Sequence, residues 1–66
     1  MFTNHWTIAD LDTHEVIYPE VDDGSVADRI ARTLAGEGRS IAVSDAVYMD
    51  TMVYLPETQP FLMAVA

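Results

Sequence analysis

The stretch 22–38 constrains the fold most, because it is the only clear helix in the sequence and strand-like segments lie on both sides of it. Val26, Ile30 and Leu34 recur every four residues, and a parallel row of alanines lies beside them. This spacing gives a helix one apolar stripe. The sequence therefore predicts a central helix that packs on a sheet through Val26, Ile30 and Leu34, with its charged residues in solvent.

Residues at both ends of this stretch are typical of helix boundaries. Ser25 is the predicted N-cap, and Asp28 three residues later completes a weak capping box. Either Gly36 or Gly38 can adopt the left-handed conformation that ends a helix. Asp28 and Arg32 are four residues apart in the favourable acid-first order, which predicts an ion pair on the outer face of the helix.

The segments on both sides of the helix alternate or are rich in β-branched residues, which favours strands. Pro19 stops the second segment or marks it as a sheet edge. The predicted strands are 2–9, 15–18, 39–43, 46–55 and 61–66. The predicted fold is α+β: a small antiparallel sheet of four to five strands with one helix packed on one face, in the order β-β-α-β-β-β. We expect a single domain over residues 1–66.

Charge is the strongest compositional signal. The chain has 11 acidic residues, three basic ones and a formal net charge of −8. The basic residues are Arg29, Arg32 and Arg39, and there is no lysine. Direct binding to nucleic acid or to an anionic membrane is disfavoured, because both need Lys and Arg to contact phosphates. The expected partner is a protein with a basic surface, particularly one that normally holds nucleic acid.

Six acidic residues around the first predicted turn and the start of the helix are the best candidate for a binding surface. We define the acidic strip as Asp10, Asp12, Glu15, Glu20, Asp22 and Asp23. If the first turn and the link before the helix project from the same end of the sheet, these carboxylates imitate spaced phosphates. An ordinary solvated face is the alternative interpretation, because runs of charge usually serve solubility.

The segment 46–55 is apolar on both faces, which is typical of a central strand or of an interface. Tyr48, Met52 and Tyr54 share one of these faces. Because one helix covers only one face of a sheet, we predict that these three residues meet another chain. A chain of this length also buries only about 60% of its unfolded surface. A homodimer is therefore a reasonable expectation.

The sequence carries no pattern that favours catalysis, a metal or a cofactor, and we predict none of the three. There is no cysteine. The segment Asp10-x-Asp12-x-His14-Glu15 begins with the acidic spacing of a calcium loop. It then has Glu15 where that loop needs glycine and Val21 where it needs glutamate. A solvated hairpin turn is the simpler interpretation of this segment.

These observations favour a non-catalytic acidic protein-binding module. Its most concrete form is a small nucleic-acid-mimic inhibitor, of the kind that phages and other mobile elements encode, that blocks a basic nucleic-acid-binding surface of a host complex. The alternative is a homo-oligomeric structural or regulatory domain whose acidity reflects a high-salt or GC-rich source. The first residues have neither the basic region nor the apolar run of a signal peptide, which favours the cytoplasm.

Overall fold

The computed structural model describes residues 4–56 and 61–62. Its elements, in chain order, are β1 (Trp6–Asp10), β2 (Val16–Val21), α1 (Gly24–Gly36), β3 (Ile41–Asp45), β4 (Thr51–Tyr54) and β5 (Phe61–Leu62). This order, with one helix packed against an antiparallel sheet, confirms the predicted α+β fold. The first two residues of the first predicted strand and the last four of the final one lie outside the described residues.

The strands are arranged in the order β2-β1-β3-β4-β5, and every neighbouring pair is antiparallel. Since β2 and β3 both run against β1, they are parallel to each other, and α1 forms the crossover between them. Trp6 pairs with both Val21 and Asp45, whereas Asp10 pairs with Ile41. We call the end of the sheet where β1 begins the Trp6 end, and the opposite end the Asp10 end.

The core lies between α1 and one face of the sheet, and its helix side is built from small residues. Ala27, Ala31 and Ala35 are buried in contact with a cluster that includes Ile8, Ile41, Val43 and Tyr54. The prediction that Val26, Ile30 and Leu34 form the contact is therefore confirmed only in part, because Ile30 and Leu34 pack against this cluster but the alanines lie at its centre. Val26 is 43% exposed, and Ile30 and Leu34 are only partly buried. Short alanine side chains allow the helix backbone to approach the sheet, and the larger residues pack at the sides of this contact.

The ends of α1 differ in part from the prediction. The N-cap is Asp23 and not Ser25, because Asp23 Oδ1 accepts hydrogen bonds from the backbone N–H groups of Ser25 at 2.8 Å and of the next residue at 3.3 Å. Gly38 adopts a left-handed conformation with φ of 93° directly after the helix. The predicted ion pair between Asp28 and Arg32 is confirmed, with Nε and Oδ2 2.8 Å apart.

Several predicted strand bounds differ from the observed ones by a few residues, and two of these differences have identifiable reasons. β2 continues through Pro19 to Val21 as the edge strand of the sheet, which confirms the edge alternative for Pro19. Its pairing with β1 is irregular between Tyr18 and Val21, the stretch that contains the proline. Of the predicted strand 46–55, only the second half forms a strand, β4, and residues 46–50 form a loop. Asp45 starts this loop, since its carboxylate accepts hydrogen bonds from backbone N–H groups that a strand would use for pairing.

Candidate protein-binding surface

Asp10 is a structural residue and not part of an exposed strip. It is 5% exposed, and its Oδ1 accepts hydrogen bonds from the backbone N–H groups of Asp12 at 2.8 Å and Thr13 at 3.1 Å. Its Oδ2 accepts from Arg39 Nε at 3.0 Å. The backbone hydrogen bond from Thr13, followed by the bond from Arg39, lowers the pKa of Asp10. The prediction that Asp10 faces a partner from the surface is therefore wrong.

The other members of the acidic strip are exposed, but the fold separates them. Asp12 and Glu15 belong to the loop between β1 and β2, at the Asp10 end. Glu20, Asp22 and Asp23 lie where β2 ends and α1 begins, at the Trp6 end. The expectation that the first turn and the link before the helix project from one end is wrong, because β2 runs the length of the sheet between them.

A second loop, 46–50, lies at the Trp6 end and presents apolar residues to solvent. Asp45 Oδ1 accepts hydrogen bonds from the backbone N–H groups of Val47 at 2.8 Å and Tyr48 at 2.9 Å. The bond from Tyr48 is the largest cause of a lowered pKa for Asp45. Tyr48 and Met49 are 75% and 76% exposed. This loop therefore holds large apolar side chains in water.

The three residues predicted to form an interface do not share an exposed face. Tyr48 lies in the loop, whereas Met52 and Tyr54 lie in β4 and pack against the core under the helix. Tyr54 is 5% exposed. The alternation of 52 and 54 is as predicted, but their face is the one that α1 covers. The prediction that this face lies away from the helix is therefore wrong.

Asp28 links the helix to β4 through Tyr54. The Tyr54 hydroxyl donates to Asp28 Oδ1 at 2.6 Å, and Arg32 Nε donates to the other carboxylate oxygen at 2.8 Å. The Arg32 guanidinium also lies 5.8 Å from the centre of the Tyr54 ring. Burial, followed by the bond to Asp28, raises the pKa of Tyr54 to about 12. The bond from Tyr54, followed by the one from Arg32, lowers the pKa of Asp28.

A cleft of about 270 Å³ opens at the Trp6 end, between the start of α1 and the second loop. Its apolar lining includes Trp6, Val43 and Met52, and its carboxylates are Asp28, Asp45 and Asp50. None of the ion pairs found in residues 4–56 involves Asp50. One feature of the sequence points to this site: Asp50 follows Asp45 by five positions, as Glu15 follows Asp10 in the first loop.

Gly24 allows α1 to start against the indole ring of Trp6 in this cleft. A Cβ atom at Gly24 would lie 2.9 Å from a carbon of the Trp6 ring, closer than side chains pack. The glycine therefore fixes how closely the helix approaches one wall of the cleft.

Ion pairs with carboxylates balance the charge of two of the three arginines. Arg32 is paired with Asp28, and Arg39 is paired with Asp10, with Glu15 Oε1 3.9 Å from its guanidinium. Arg29 is exposed and makes no ion pair within the described ranges. The carboxylates that remain exposed therefore face solvent with little compensating charge.

Comparison of the chain with models of protein families, with curated proteins and with solved structures found no match. Within residues 4–56 and 61–62, no helix is long and apolar enough to cross a membrane. The same residues contain no group of three or more His, Cys, Asp or Glu side chains arranged to hold a metal ion.

Proposed function

We propose that the chain is a non-catalytic module that binds a basic protein surface. In its most concrete form it is a small inhibitor, of the kind that phages and other mobile elements encode, that occupies the nucleic-acid-binding surface of a host complex in the cytoplasm. The observation that carries the proposal is the charge distribution. The net charge is −8, and two of the three arginines are held in internal ion pairs.

This pairing matters because paired charges largely cancel, so the charge that acts on a partner is the charge left unpaired. Pairs such as Arg39 with Asp10 cancel at short range, so the long-range field comes from the exposed carboxylates. A field of one sign speeds association with a surface of opposite sign and discriminates against acidic partners. Salt screens it over about 8 Å at physiological ionic strength, so binding weakens as salt increases.

The Trp6 end is the part of the surface that we propose meets the partner. Glu20, Asp22 and Asp23 are exposed there, and Asp50 lies at the same end in the second loop. Asp23 also caps the helix, so its substitution would mix a loss of binding with a loss of helix stability. Glu20 and Asp22 are therefore the better positions for a test.

The experiment starts from affinity capture with the tagged chain in lysates of candidate hosts, followed by purification of the captured protein. Binding is then measured for the wild type and for a Glu20→Lys, Asp22→Lys double variant, with and without competing double-stranded DNA. The matched control is Asp12→Lys, Glu37→Lys, which changes the net charge equally at the Asp10 end. Circular dichroism verifies that both variants are folded.

We expect the first double variant to weaken binding by at least about tenfold and the control by less, because nearby charge pairs dominate. DNA should compete with the wild-type chain for the captured protein. Unchanged affinity in both double variants would contradict the proposal. Binding that is lost equally in both would indicate a response to net charge without a defined contact surface.

A homo-oligomeric domain is the second candidate, and the exposed apolar side chains of Tyr48 and Met49 favour it. Sedimentation equilibrium across protein and salt concentration separates the two candidates. A stable monomer that folds at low salt is expected for the inhibitor. Self-association, or folding that requires molar salt, favours the alternative with background acidity.

A further inference from the structure

The second loop and the cleft form one continuous surface at the Trp6 end. Asp45 and Asp50, which begin and end the loop, both line the cleft. Between them, Val47, Tyr48 and Met49 are exposed. We call this combination the loop–cleft surface, defined by the tip residues 47–49 and the cleft lined by Trp6.

The fold itself does not require large apolar residues at the tip. The first loop has the same backbone arrangement, and at the positions equivalent to Tyr48 and Met49 it has Thr13 and His14. Tyr48 and Met49 are each about three-quarters exposed, so they contribute little to the core. Adjacent exposed apolar side chains beside a cleft are typical of a protein-contact site.

We propose that the loop–cleft surface docks an arginine-bearing segment of the basic partner protein, an inference that rests on the proposed function. The arginine side chain enters the cleft, and apolar neighbours of that arginine pack on Tyr48 and Met49. This assigns the electrostatic contact a defined pocket and gives the exposed loop a role in binding.

The lining of the cleft matches the two parts of an arginine side chain. Trp6 and Met52 offer apolar surface for the aliphatic stem, and a guanidinium group stacks well on aromatic rings. Among the acidic residues of the cleft, Asp50 is the one whose side chain makes neither an ion pair nor a hydrogen bond with another described residue, whereas Asp28 and Asp45 are hydrogen-bonded. Its position at the cleft therefore suits a charged hydrogen bond with the incoming guanidinium.

The other two carboxylates contribute charge more than direct contacts. Asp28 already accepts hydrogen bonds from Tyr54 and Arg32, and Asp45 accepts from two backbone N–H groups and from Asn4 Nδ2. These bonds lower the pKa of both aspartates, so both stay ionised at neutral pH. Asp45 therefore keeps the cleft negative, Arg32 balances the charge of Asp28, and Asp50 remains available.

The size of the cleft favours a single side chain over a small-molecule ligand. Its volume of about 270 Å³ lies below the roughly 300–1,000 Å³ of pockets that enclose drug-sized ligands. Asp45 and Asp50 line the cleft and also flank the apolar tip, so a docked segment that extends beyond its arginine can reach the second loop. A peptide segment therefore fits the surface better than a free metabolite.

The test uses Trp6, which is the sole tryptophan of the chain and lies in the cleft, as a fluorescent reporter. The probe is an acetylated Gly-Leu-Arg-Leu-Gly amide, titrated into the millimolar range. The comparison peptide has citrulline in place of arginine, which keeps the shape and removes the charge. Tyrosine emission is avoided by exciting the indole selectively.

Two variants test the two parts of the surface. Asp50→Asn removes the unpaired carboxylate, and Tyr48→Thr with Met49→His gives the second loop the tip residues of the first. The matched control is Asp12→Asn, which removes one exposed charge at the opposite end of the sheet. Far-UV circular dichroism and urea unfolding verify that each variant keeps the fold.

We expect a saturable change in Trp6 emission with the arginine peptide. Its half-saturation concentration should rise at least about fivefold with the citrulline peptide, in Asp50→Asn and in the loop exchange, and stay within about twofold in Asp12→Asn. No saturable change, equal binding of the citrulline peptide, or no effect of either variant would overturn this proposal. A captured partner that depends on Glu20 and Asp22 but not on the loop exchange would also overturn it, while leaving the proposed function intact.

Discussion

The two hairpin loops at opposite ends of the sheet share one backbone design and differ in what their tips present. Asp10 and Asp45 each end a strand, and each Oδ1 accepts hydrogen bonds from the backbone N–H groups two and three residues later. Each aspartate N–H donates to the carbonyl five residues later, at 2.8 and 2.9 Å. The fourth residues after them, His14 and Met49, have positive φ of 61° and 60°.

The difference begins with the residues that hold each loop. The first loop is anchored by a charged contact, from Arg39 to Asp10, and has polar residues at its tip. The second is anchored by a neutral side chain, since Asn4 Nδ2 donates to Asp45 Oδ2 at 2.9 Å. Its tip carries apolar residues in solvent. The same backbone arrangement thus presents polar residues at the Asp10 end and apolar residues at the Trp6 end.

Replacing Asp10 or Asp45 with asparagine should give the largest difference in stability between variants of the two loops. In Asp10→Asn the amide oxygen can still accept from the backbone, but the amide nitrogen then faces Arg39 Nε, donor against donor. In Asp45→Asn the amide nitrogen also faces a donor, Asn4 Nδ2, but this donor is neutral and no ion pair is lost. We expect the thermal midpoint to fall by about 5–10 °C for Asp10→Asn and by less than half of that for Asp45→Asn.

Arg39→Gln combined with Asp10→Asn is the control for this comparison. If the ion pair is responsible, the double variant should be destabilised less than the sum of its single variants. Equal falls for the two aspartate variants, measured by scanning circular dichroism, would show that the charged anchor adds nothing to the first loop.

Acid should destabilise the fold through both loops. Hydrogen bonds in the folded state hold the pKa of Asp10 and of Asp45 below the ordinary value of 3.8. Their stabilising contribution is therefore complete above about pH 5, where the unfolded aspartates are also ionised, and is lost as the pH falls through the lowered folded values. Urea unfolding below pH 5 should show this loss, and each asparagine variant should reduce it. An unchanged pH dependence in both variants would contradict this linkage.

Periodicity and composition predict the order of elements, but not which residues meet across them. The helix and the strands follow from local spacing, and the ion pair of Asp28 with Arg32 follows from separation within one helix. The alanine row and the larger row lie side by side in one stripe, so spacing does not tell which row is centred on the sheet. That choice depends on how closely the helix can approach, which Gly24 and Ala31 help determine.

The errors in the candidate site have a similar origin. Val47, Tyr48 and Met49 have strand propensity, but Asp45 binds the backbone N–H groups of this segment and turns it into a loop. The acidic strip required two segments to project from one end, and this depends on the strand order. Local sequence therefore identified Tyr48 as a contact residue but did not identify Asp50 or the cleft that it lines.

Exchanging the tips of the loops should change stability less than replacing their aspartates. Tyr48→Thr with Met49→His, and the reverse pair Thr13→Tyr with His14→Met, should each change the free energy of unfolding by less than about 1 kcal/mol. All four side chains lie at loop tips on matching backbones. Urea unfolding measures the effect, and a loss of several kcal/mol in either exchange would mean that the tips are not equivalent.

The reverse exchange also separates the tip from the cleft. Thr13→Tyr with His14→Met places apolar residues at the Asp10 end, away from the cleft of Trp6. We expect no new Trp6 response to the arginine peptide from that end. A second saturable response, seen in the same fluorescence titration, would show that an apolar tip is sufficient without the cleft.

Replacing the two residues of positive φ with glycine should give the smallest difference in stability between the loops. A left-handed conformation costs a residue with a side chain roughly 1–2 kcal/mol, which glycine avoids. Glycine is also more flexible in the unfolded chain, and this offsets about 0.5–1 kcal/mol of the gain. Met49→Gly should therefore raise the free energy of unfolding by about 0.5 kcal/mol. His14→Gly should raise it less, because histidine tolerates this conformation better than most residues. Paired urea titrations resolve the order, and a larger gain at His14 would mean that strain is stored in the anchored loop and not in the exposed one.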